Sequence, residues 1–349
     1  MAVGKKPVTI HYRRFDNSFM SDGRTLEELV HSAMNSIVDG AKIRARFTSR
    51  LQVLGEHNYF VNFFEEKSGQ VDIAFGDILH FTEGHMQALF RKVSNDAEKV
   101  EVRQMPAPEK AEYVHSQMFW MIKGNHAFVL QSQSLKTKDL EDYLSWLLQK
   151  KTRVLQSDVP IVLASQFDQS VIGGDIGDIQ EIIIGGVATK PANEPDLRKE
   201  SEIINKESTI TQENNLDLRN VAGWDTARKI LVELLGSDAR VDSLLNAVPQ
   251  DVDLRVQVHI GYQTKKKKID RVALKQIETG IRNMPDSQIQ IKSKGQSRGF
   301  DGTIRLHHNA NIDLIRVQER SGTLLDPVDV QRAMVEAYSI FVSNGKISP

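Results

Sequence analysis

The stretch QMFWMIKGNHAFVLQ (Gln117–Gln131) consists of two apolar runs separated by a glycine–asparagine pair. Gly124 and Asn125 are residue types that readily adopt positive φ, and such a pair between apolar runs favours a tight turn between two antiparallel strands. The stretch therefore predicts a hairpin in the N-terminal half of the chain.

Helix start signals on both sides of this hairpin indicate a mixed fold. Thr25 and Glu28 have the spacing of a capping box at the start of TLEELVHSAMNSIVDG. Asp326 followed by Pro327 is typical of an N-cap with proline at the first helical position. Alternating stretches such as KIRARF (Lys42–Phe47) predict further strands. The predicted fold class is α+β, with two α+β domains built on mixed or antiparallel sheets.

Changes in composition along the chain predict where these domains begin and end. Residues 1–167 contain the hairpin and are interpreted as an N-terminal α+β domain. Residues 168–221 are first rich in glycine and acidic residues and then strongly polar, so they are interpreted as a connecting segment. Residues 222–349 predict a C-terminal α+β domain with a basic face.

The composition limits the possible classes of function. The 349 residues include no cysteine, which excludes disulfides, thiolate zinc sites, iron–sulfur clusters and cysteine nucleophiles. The first thirty residues contain no long apolar core, and no window approaches about 18 uninterrupted apolar residues. We therefore expect a cytoplasmic protein that has no signal peptide and does not itself span a membrane.

Positive charge is concentrated in one segment. Between Gly261 and Arg305 there are eleven basic and four acidic residues, a net charge of +7, whereas the whole chain carries −1. Four lysines are adjacent in YQTKKKKIDR (Tyr262–Arg271), just before a predicted helix. Their side chains are expected to project from the connection between a strand and this helix.

The basic residues of the predicted helix are expected to share one face. At about 100° per residue, four of them fall in a narrow wedge opposite the apolar residues: Lys268, Arg271, Lys275 and Arg282. Glu278 lies in the same wedge, where it could pair with Lys275 or Arg282 on an ordinary solvated face. A second basic group, KSKGQSRGF (Lys292–Phe300), is interpreted as a glycine-containing loop that could bring backbone N–H groups to phosphates.

This charge pattern favours contact with a nucleic-acid backbone. Each lysine that neutralises a phosphate releases condensed counterions, and such contacts add up without base identity. Tyr262 and Phe300 are too few aromatic residues to stack a single strand, so double-stranded DNA is the predicted ligand. The predicted DNA-binding residues are Lys265, Lys266, Lys267, Lys268, Arg271, Lys275, Arg282, Lys292, Lys294 and Arg298.

Two other classes of function stay open. EEK (Glu65–Lys67) has the acid-x-lysine form of metal-dependent nucleases, so a nuclease effector is one alternative. Arg24 and His31 have the R-x6-H spacing of some RNA-cutting helical domains. The other alternative is a non-enzymatic protein-interaction module in which the lysine run is a solvated turn.

The remaining polar motifs do not predict a catalytic centre. GGDIGD (Gly173–Asp178) lacks the lysine and hydroxyl residue of a phosphate-binding loop. His80 and His85 have no recognisable metal-ligand spacing, nor do His307 and His308. No catalytic residue, metal ion or cofactor is therefore predicted.

Several longer stretches resemble the RexA family, the cytoplasmic DNA-binding component of the lambda Rex phage-exclusion system. The resemblance lies mainly within Ala222–Phe341, and the stretches are FGDIL (Phe75–Leu79), WDTARKILVELLG (Trp224–Gly236), DLRVQVHIGYQTKKKKIDRVALKQI (Asp253–Ile277), GTIRLHHNANIDLIRV (Gly302–Val317) and LLDPVDVQRAMVEAY (Leu324–Tyr338). The resemblance implies a homodimer that contacts DNA through the basic positions of Lys265–Lys275. It also implies a phage-defence sensor that signals to a small membrane-protein partner encoded nearby.

Overall fold

The structure is a computed structural model that describes residues 4–17, 20, 22–90, 102–168, 179–188, 254–261, 271–283, 289–293, 296–299, 304–317 and 320–349. The chain divides into two compact units. The first unit combines residues 1–166 with 306–349, and the second contains residues 167–305. Helices and a large antiparallel sheet occur together, which confirms the α+β class.

Strands and helices alternate irregularly along the described chain. The strands are β1 (Lys5–Phe15), β2 (Ile37–Val38), β3 (Ala41–Lys42), β4 (Leu51–Leu54), β5 (His57–Ser68), β6 (Val71–Thr82), β7 (Met86–Phe90), β8 (Val102–Pro106), β9 (Val114–Lys123), β10 (His126–Leu130), β11 (Leu163–Ala164), β12 (Ile179–Ala188), β13 (Leu254–Gly261), β14 (Ile289–Ser293), β15 (Gln296–Gly299), β16 (His307–Val317) and β17 (Arg320–Leu325). The helices are α1 (Leu26–Asn35), α2 (Phe47–Arg50), α3 (Thr137–Ser145), α4 (Arg271–Gly280) and α5 (Pro327–Ser343), with a 3-10 turn at Ile43–Ala45 and a π-helical turn at Trp146–Lys151.

The first unit is built on one antiparallel sheet. Its strand order is β17-β16-β1-β10-β9-β6-β5-β4, and β11 also pairs with β1. The predicted hairpin is confirmed at the middle of this order, where β9 and β10 pair with Lys123 opposite His126. Gly124 makes the two-residue turn with a φ of +57°, a conformation that glycine adopts without steric cost. The hairpin therefore fixes the register from which the other strands extend.

Both faces of the sheet are buried at β9, which explains the unbroken apolar run of this strand. Trp120 faces a core that contains residues of α1 and α3, whereas Phe119 faces a second core closed by Phe341 of α5. A strand that is covered on both sides has no polar face, so its sequence does not alternate. The first unit therefore has helices on both sides of the sheet.

The predicted helix starts agree with the structure to within one residue. Thr25 is the N-cap of α1, and its side chain and that of Glu28 form the expected capping box. Asp326 caps α5 and accepts the N–H of Val328 at 2.9 Å, with Pro327 at the first helical position. The confirmed caps show that local signals set where these helices begin.

The second unit contains a separate antiparallel sheet with strand order β13-β12-β14-β15, together with α4. β12 lies within the 168–221 segment that was expected to connect two domains. Its eight-residue register with β13 places it between β13 and β14. The expectation was wrong for Ile179–Ala188 because IQEIIIGGVA is rich in isoleucine, a residue type that favours a strand buried on both faces. Residues 169–178 and 189–221 lie outside the described residues.

The expected C-terminal boundary also needs correction. β16, β17 and α5 belong to the first unit, and only part of 222–349 belongs with the basic segment. The reason is the pairing of β16 with β1, which runs from Lys5 opposite Asp313 to His11 opposite His307. The second unit is therefore inserted into the sequence of the first unit between Gln166 and Leu306.

Candidate functional site

The structure describes part of the predicted basic surface. Lys265–Lys268 and Lys294 lie outside the described residues. Arg271 is the first residue of α4, and the side chain of Lys275 on the same helix is exposed. Arg282 lies just beyond the helix end, where it is partly exposed and donates from Nη1 to the carbonyl oxygen of Thr279 at 3.0 Å. Lys275 and Arg282, which were expected to share one face, both have solvent access.

Lys292 and Arg298 of the second basic group lie on two paired strands, which corrects the expectation that they belong to a loop. Lys292 belongs to β14 and Arg298 to β15, and Lys292 is opposite Ser297 in their register. Only residues 294 and 295 separate the two strands, so most of Lys292–Phe300 is in strand pairing. Successive positions of a strand alternate between the faces of a sheet. Arg298 is opposite Ile291 in the register, so Lys292 and Arg298 are not cross-strand partners.

Glu278 is buried, which corrects its expected place among the basic residues on the surface. Its side chain is 8% exposed, and Oε1 accepts the backbone N–H of Phe167 at 2.7 Å. Burial raises the pKa of Glu278 to about 7, although the Phe167 N–H and the charges of Arg305 and Lys275 oppose this rise. Helical spacing predicted an exposed Glu278 because it could not reveal that the backbone N–H of Phe167 donates a hydrogen bond to this side chain. Glu278 therefore contributes no surface carboxylate beside Lys275.

Arg305 extends the buried polar contacts near Glu278. Its side chain is buried, and Nη2 donates to the carbonyl oxygen of Ile281 at 2.6 Å. The backbone of Phe167 bridges to Arg305 as an isolated antiparallel pair. These contacts fix the C-terminal end of α4 within the second unit.

The acid-x-lysine motif places its three side chains in different surroundings. Oε2 of Glu65 accepts from Nε2 of Gln331 at 2.6 Å, and Glu66 forms an ion pair with Arg44 at 2.7 Å. Lys67 lies 3.7 Å from a carboxylate oxygen of Asp72. Across the described residues, no group of three histidine, aspartate or glutamate side chains is arranged to hold a metal ion. The nuclease alternative therefore gains no support from this motif.

Arg24 and His31 are held by separate structural contacts. Arg24 forms an ion pair with Asp22 at 2.5 Å and also donates from Nη2 to the carbonyl oxygen of Val154. Nε2 of His31 lies 2.9 Å from the carbonyl oxygen of Ile73. Each side chain thus stabilises a local contact of the first unit, and the geometry does not join them into one site.

A group of four histidines, which the sequence reasoning did not identify, lies at one end of strands β5, β6 and β9. We call it the histidine cluster, and it consists of His57, His80, His85 and His115. Nδ1 of His57 lies 3.1 Å from Nε2 of His80. The ring centroids of His80 and His115 are 5.4 Å apart, and those of His85 and His115 are 4.3 Å apart.

Strand pairing explains how residues so far apart in sequence meet. β5 and β6 pair with His57 opposite Thr82 and Tyr59 opposite His80. The pairing of β6 with β9 shifts between His80 and Phe81, so that His115 falls at the irregular position. Such a bulge changes the direction of a side chain, and it often occurs beside functional sites. Only the folded sheet brings these histidines together.

Two of the four imidazoles, those of His80 and His115, have a lowered pKa. Burial lowers the pKa of His80, and the neighbouring charges of His57 and His115 lower it further. Burial also lowers the pKa of His115, with added contributions from His85 and His57. The ring of Tyr59 stacks on His80 at a centroid distance of 4.7 Å and limits its rotation. The ring nitrogens of His57 and His80 therefore lie close together at one end of the paired strands.

Comparison of the chain with protein-family models and with curated proteins gave no match. Among the described residues, no helix is long and apolar enough to cross a membrane. Function is therefore inferred from the residues and their geometry.

Proposed function

We propose that the chain is a sequence-nonspecific duplex-DNA-binding protein, in which the second unit is the DNA-binding domain. The observation that carries the proposal is the inward position of Glu278 beside the exposed Lys275. An acidic residue on the basic helix was the main reason to interpret this surface as an ordinary solvated face. Its burial removes this carboxylate from the exposed surface beside Lys275.

The uneven distribution of charge along the chain also favours DNA binding. The segment from Gly261 to Arg305 has a net charge of +7 in a chain with a total of −1, so the rest of the protein is acidic. A phosphate backbone is attracted to such a segment and repelled by an acidic surface, which would orient the protein on DNA. Contacts made by lysine and arginine to phosphates supply affinity without reading base identity.

The resemblance to the RexA family extends the proposal to a biological role. It supports a cytoplasmic homodimer that senses phage DNA and signals to a small membrane-protein partner. In this proposal the first unit senses or relays, or makes the dimer contact. The basic residues act as phosphate contacts and not as catalysts.

The test is the affinity for a labelled DNA duplex of mixed sequence at several salt concentrations, in the presence and absence of magnesium. The variant Lys265→Glu/Lys266→Glu changes two adjacent lysines of the basic segment. The matched control, Lys150→Glu/Lys151→Glu, makes the same charge change at two adjacent lysines of the first unit. Gel analysis of the DNA after each incubation reports whether it is cut.

We expect the logarithm of the binding constant to fall with the logarithm of the salt concentration, by about 0.9 per phosphate contact. The Lys265→Glu/Lys266→Glu variant should bind more weakly and with a slope that is shallower by about 2, and the control should keep the wild-type slope. Equal losses in both variants would show that only total charge matters. Magnesium-dependent cutting would favour the nuclease alternative, and absence of binding at low salt would favour the protein-interaction module.

A further inference from the structure

We propose that the histidine cluster of the first unit is a binding site for a divalent transition-metal ion of the zinc, nickel or copper type. His57 and His80 supply the first two ligands, and His115 supplies the third. This site is independent of the proposed DNA-binding function, because its residues all belong to the first unit.

The distance between the first two ligands is suitable for one shared ion. Imidazole nitrogens bind zinc at about 2.0–2.1 Å, so two nitrogens on one ion lie about 2.9 Å apart at a right angle and about 3.4 Å apart at a tetrahedral angle. Nδ1 of His57 and Nε2 of His80 are 3.1 Å apart, between these limits. A simple hydrogen bond between the rings would have a similar length, so the distance alone does not decide.

The positions of His85 and His115 favour a metal site over a simple hydrogen bond between His57 and His80. A hydrogen-bonded pair needs no third imidazole, yet His115 lies beside His80 and His85 lies beside His115. His85 and His115 are exposed, so their rings can turn without disturbing a core. Among the described residues no group of three such side chains is arranged to hold a metal ion. Binding therefore requires the exposed His115 ring to turn toward the nitrogens of His57 and His80. Water or His85 would then occupy a fourth position.

The surroundings orient the two first ligands. His57 and His80 lie on paired strands, which fixes the separation of their backbones. The ring of Tyr59 stacks on that of His80 at a centroid distance of 4.7 Å. Contacts of this kind hold ligand rings in the orientation that an ion requires.

The type of ligand selects the type of ion. Imidazole nitrogen suits zinc, copper and nickel, whereas magnesium and calcium prefer carboxylate and carbonyl oxygen. The nearby carboxylate of Glu112 already accepts the backbone N–H of Gly84 at 3.1 Å. A site made of imidazole nitrogens should therefore bind zinc in preference to magnesium.

The test is zinc binding to the full-length chain by isothermal titration calorimetry, with magnesium as a second titrant. Cobalt(II) absorption in the visible range reports nitrogen coordination independently. The variant His57→Gln/His80→Gln removes both first ligands but keeps polar side chains. The matched control, His307→Gln/His308→Gln, removes two histidines from β16 of the same sheet.

We expect wild type to bind one zinc ion per chain and to show the cobalt spectrum. Loss of a single outer partner typically weakens metal affinity about 10- to 100-fold, so loss of both first ligands should weaken it by at least about 100-fold. The control should bind zinc as wild type does. If the double variant does not fold, His115→Gln, which changes an exposed ring, should still weaken binding by at least about 10-fold.

Absence of zinc binding by wild type, an equal loss in the His307→Gln/His308→Gln control, or magnesium binding as tight as zinc binding would each overturn the proposal. Circular dichroism of every variant without metal shows whether a loss of binding reflects a loss of fold.

Discussion

Glu278→Gln should make the second unit more stable at alkaline pH. In wild type the carboxyl group is buried and its pKa is raised from 4.5 to about 7. Ionisation of this group is therefore less favourable in the folded chain than in the unfolded chain. Glutamine cannot ionise, and its side-chain oxygen can still accept the N–H of Phe167 that Glu278 accepts at 2.7 Å.

The sign and the size of the change in unfolding free energy follow from this pKa shift. Because the folded pKa lies above the unfolded one, the protonated Glu278 contributes its full stability below about pH 4.5 and loses it as the pH rises through about 7. A difference of about 2.5 pKa units corresponds to about 3 kcal/mol at about 1.4 kcal/mol per unit. At pH values above 8, Glu278→Gln should therefore unfold with a free energy up to about 3 kcal/mol higher than wild type, and the two should converge near pH 4.

Hydrogen exchange of the peptide that spans 271–283 measures this effect locally, alongside urea unfolding of the whole chain between pH 4 and 9. Glu109→Gln, which removes one exposed carboxylate of the first unit, controls for the change in net charge. The opposite result, a loss of protection in Glu278→Gln at high pH, would refute the reasoning. It would show that attraction to the buried Arg305 outweighs the cost of burying the charge.

Three further variants test the packing and the helix ends. Gly76→Ala should destabilise the first unit by about 1–3 kcal/mol or more, because a Cβ at this position would lie 2.6 Å from the carbonyl oxygen of Phe63. Gly280→Ala makes the same chemical change where nothing lies within 4 Å, so urea unfolding should show no loss and a gain of up to about 1 kcal/mol. Thr25→Ala should lower the unfolding free energy by about 1 kcal/mol because it removes the N-cap of α1. An unchanged midpoint of urea unfolding would mean that packing alone holds this helix end.

Local signals in the sequence were sufficient where local contacts decide the structure. The turn at Gly124 and the caps at Thr25 and Asp326 depend on neighbouring residues and were predicted correctly. KIRARF (Lys42–Phe47) alternates as a strand does, yet it forms the end of a short strand, a 3-10 turn and the start of α2. The turn buries Ile43 completely, which illustrates how packing overrides a weak local preference.

Contacts between distant residues decided what the sequence could not reveal. The hydroxyl of Thr9 donates to Asn309 at 3.0 Å, across most of the length of the chain. No periodicity in β1 or β16 marks the other as its partner, so residues 306–349 were grouped with the nearer basic segment. The histidine cluster was missed for the same reason, because only strand pairing reduces the separation of His57, His80 and His115. The inward turn of Glu278 likewise depends on Phe167.

The insertion of the second unit leads to one more experiment. The backbone N–H of Leu306 donates to the carbonyl oxygen of Gln166 at 2.8 Å, so the two points where the chain leaves and re-enters the first unit are adjacent. Both described cores consist only of residues from the first unit. A short glycine–asparagine turn can join two adjacent antiparallel segments, so it should be able to replace residues 167–305.

We expect this shortened chain to fold cooperatively, to keep its zinc binding at the histidine cluster and to lose its DNA binding. Thermal unfolding followed by circular dichroism tests the fold, and the two binding assays test the division of functions. A chain that stays unfolded would show that the first unit depends on the second, although both described cores consist of first-unit residues. A folded chain that still binds DNA with the wild-type salt dependence would place the phosphate contacts outside the basic segment and refute the proposed function. This result would not bear on the metal site, which the zinc titration tests separately.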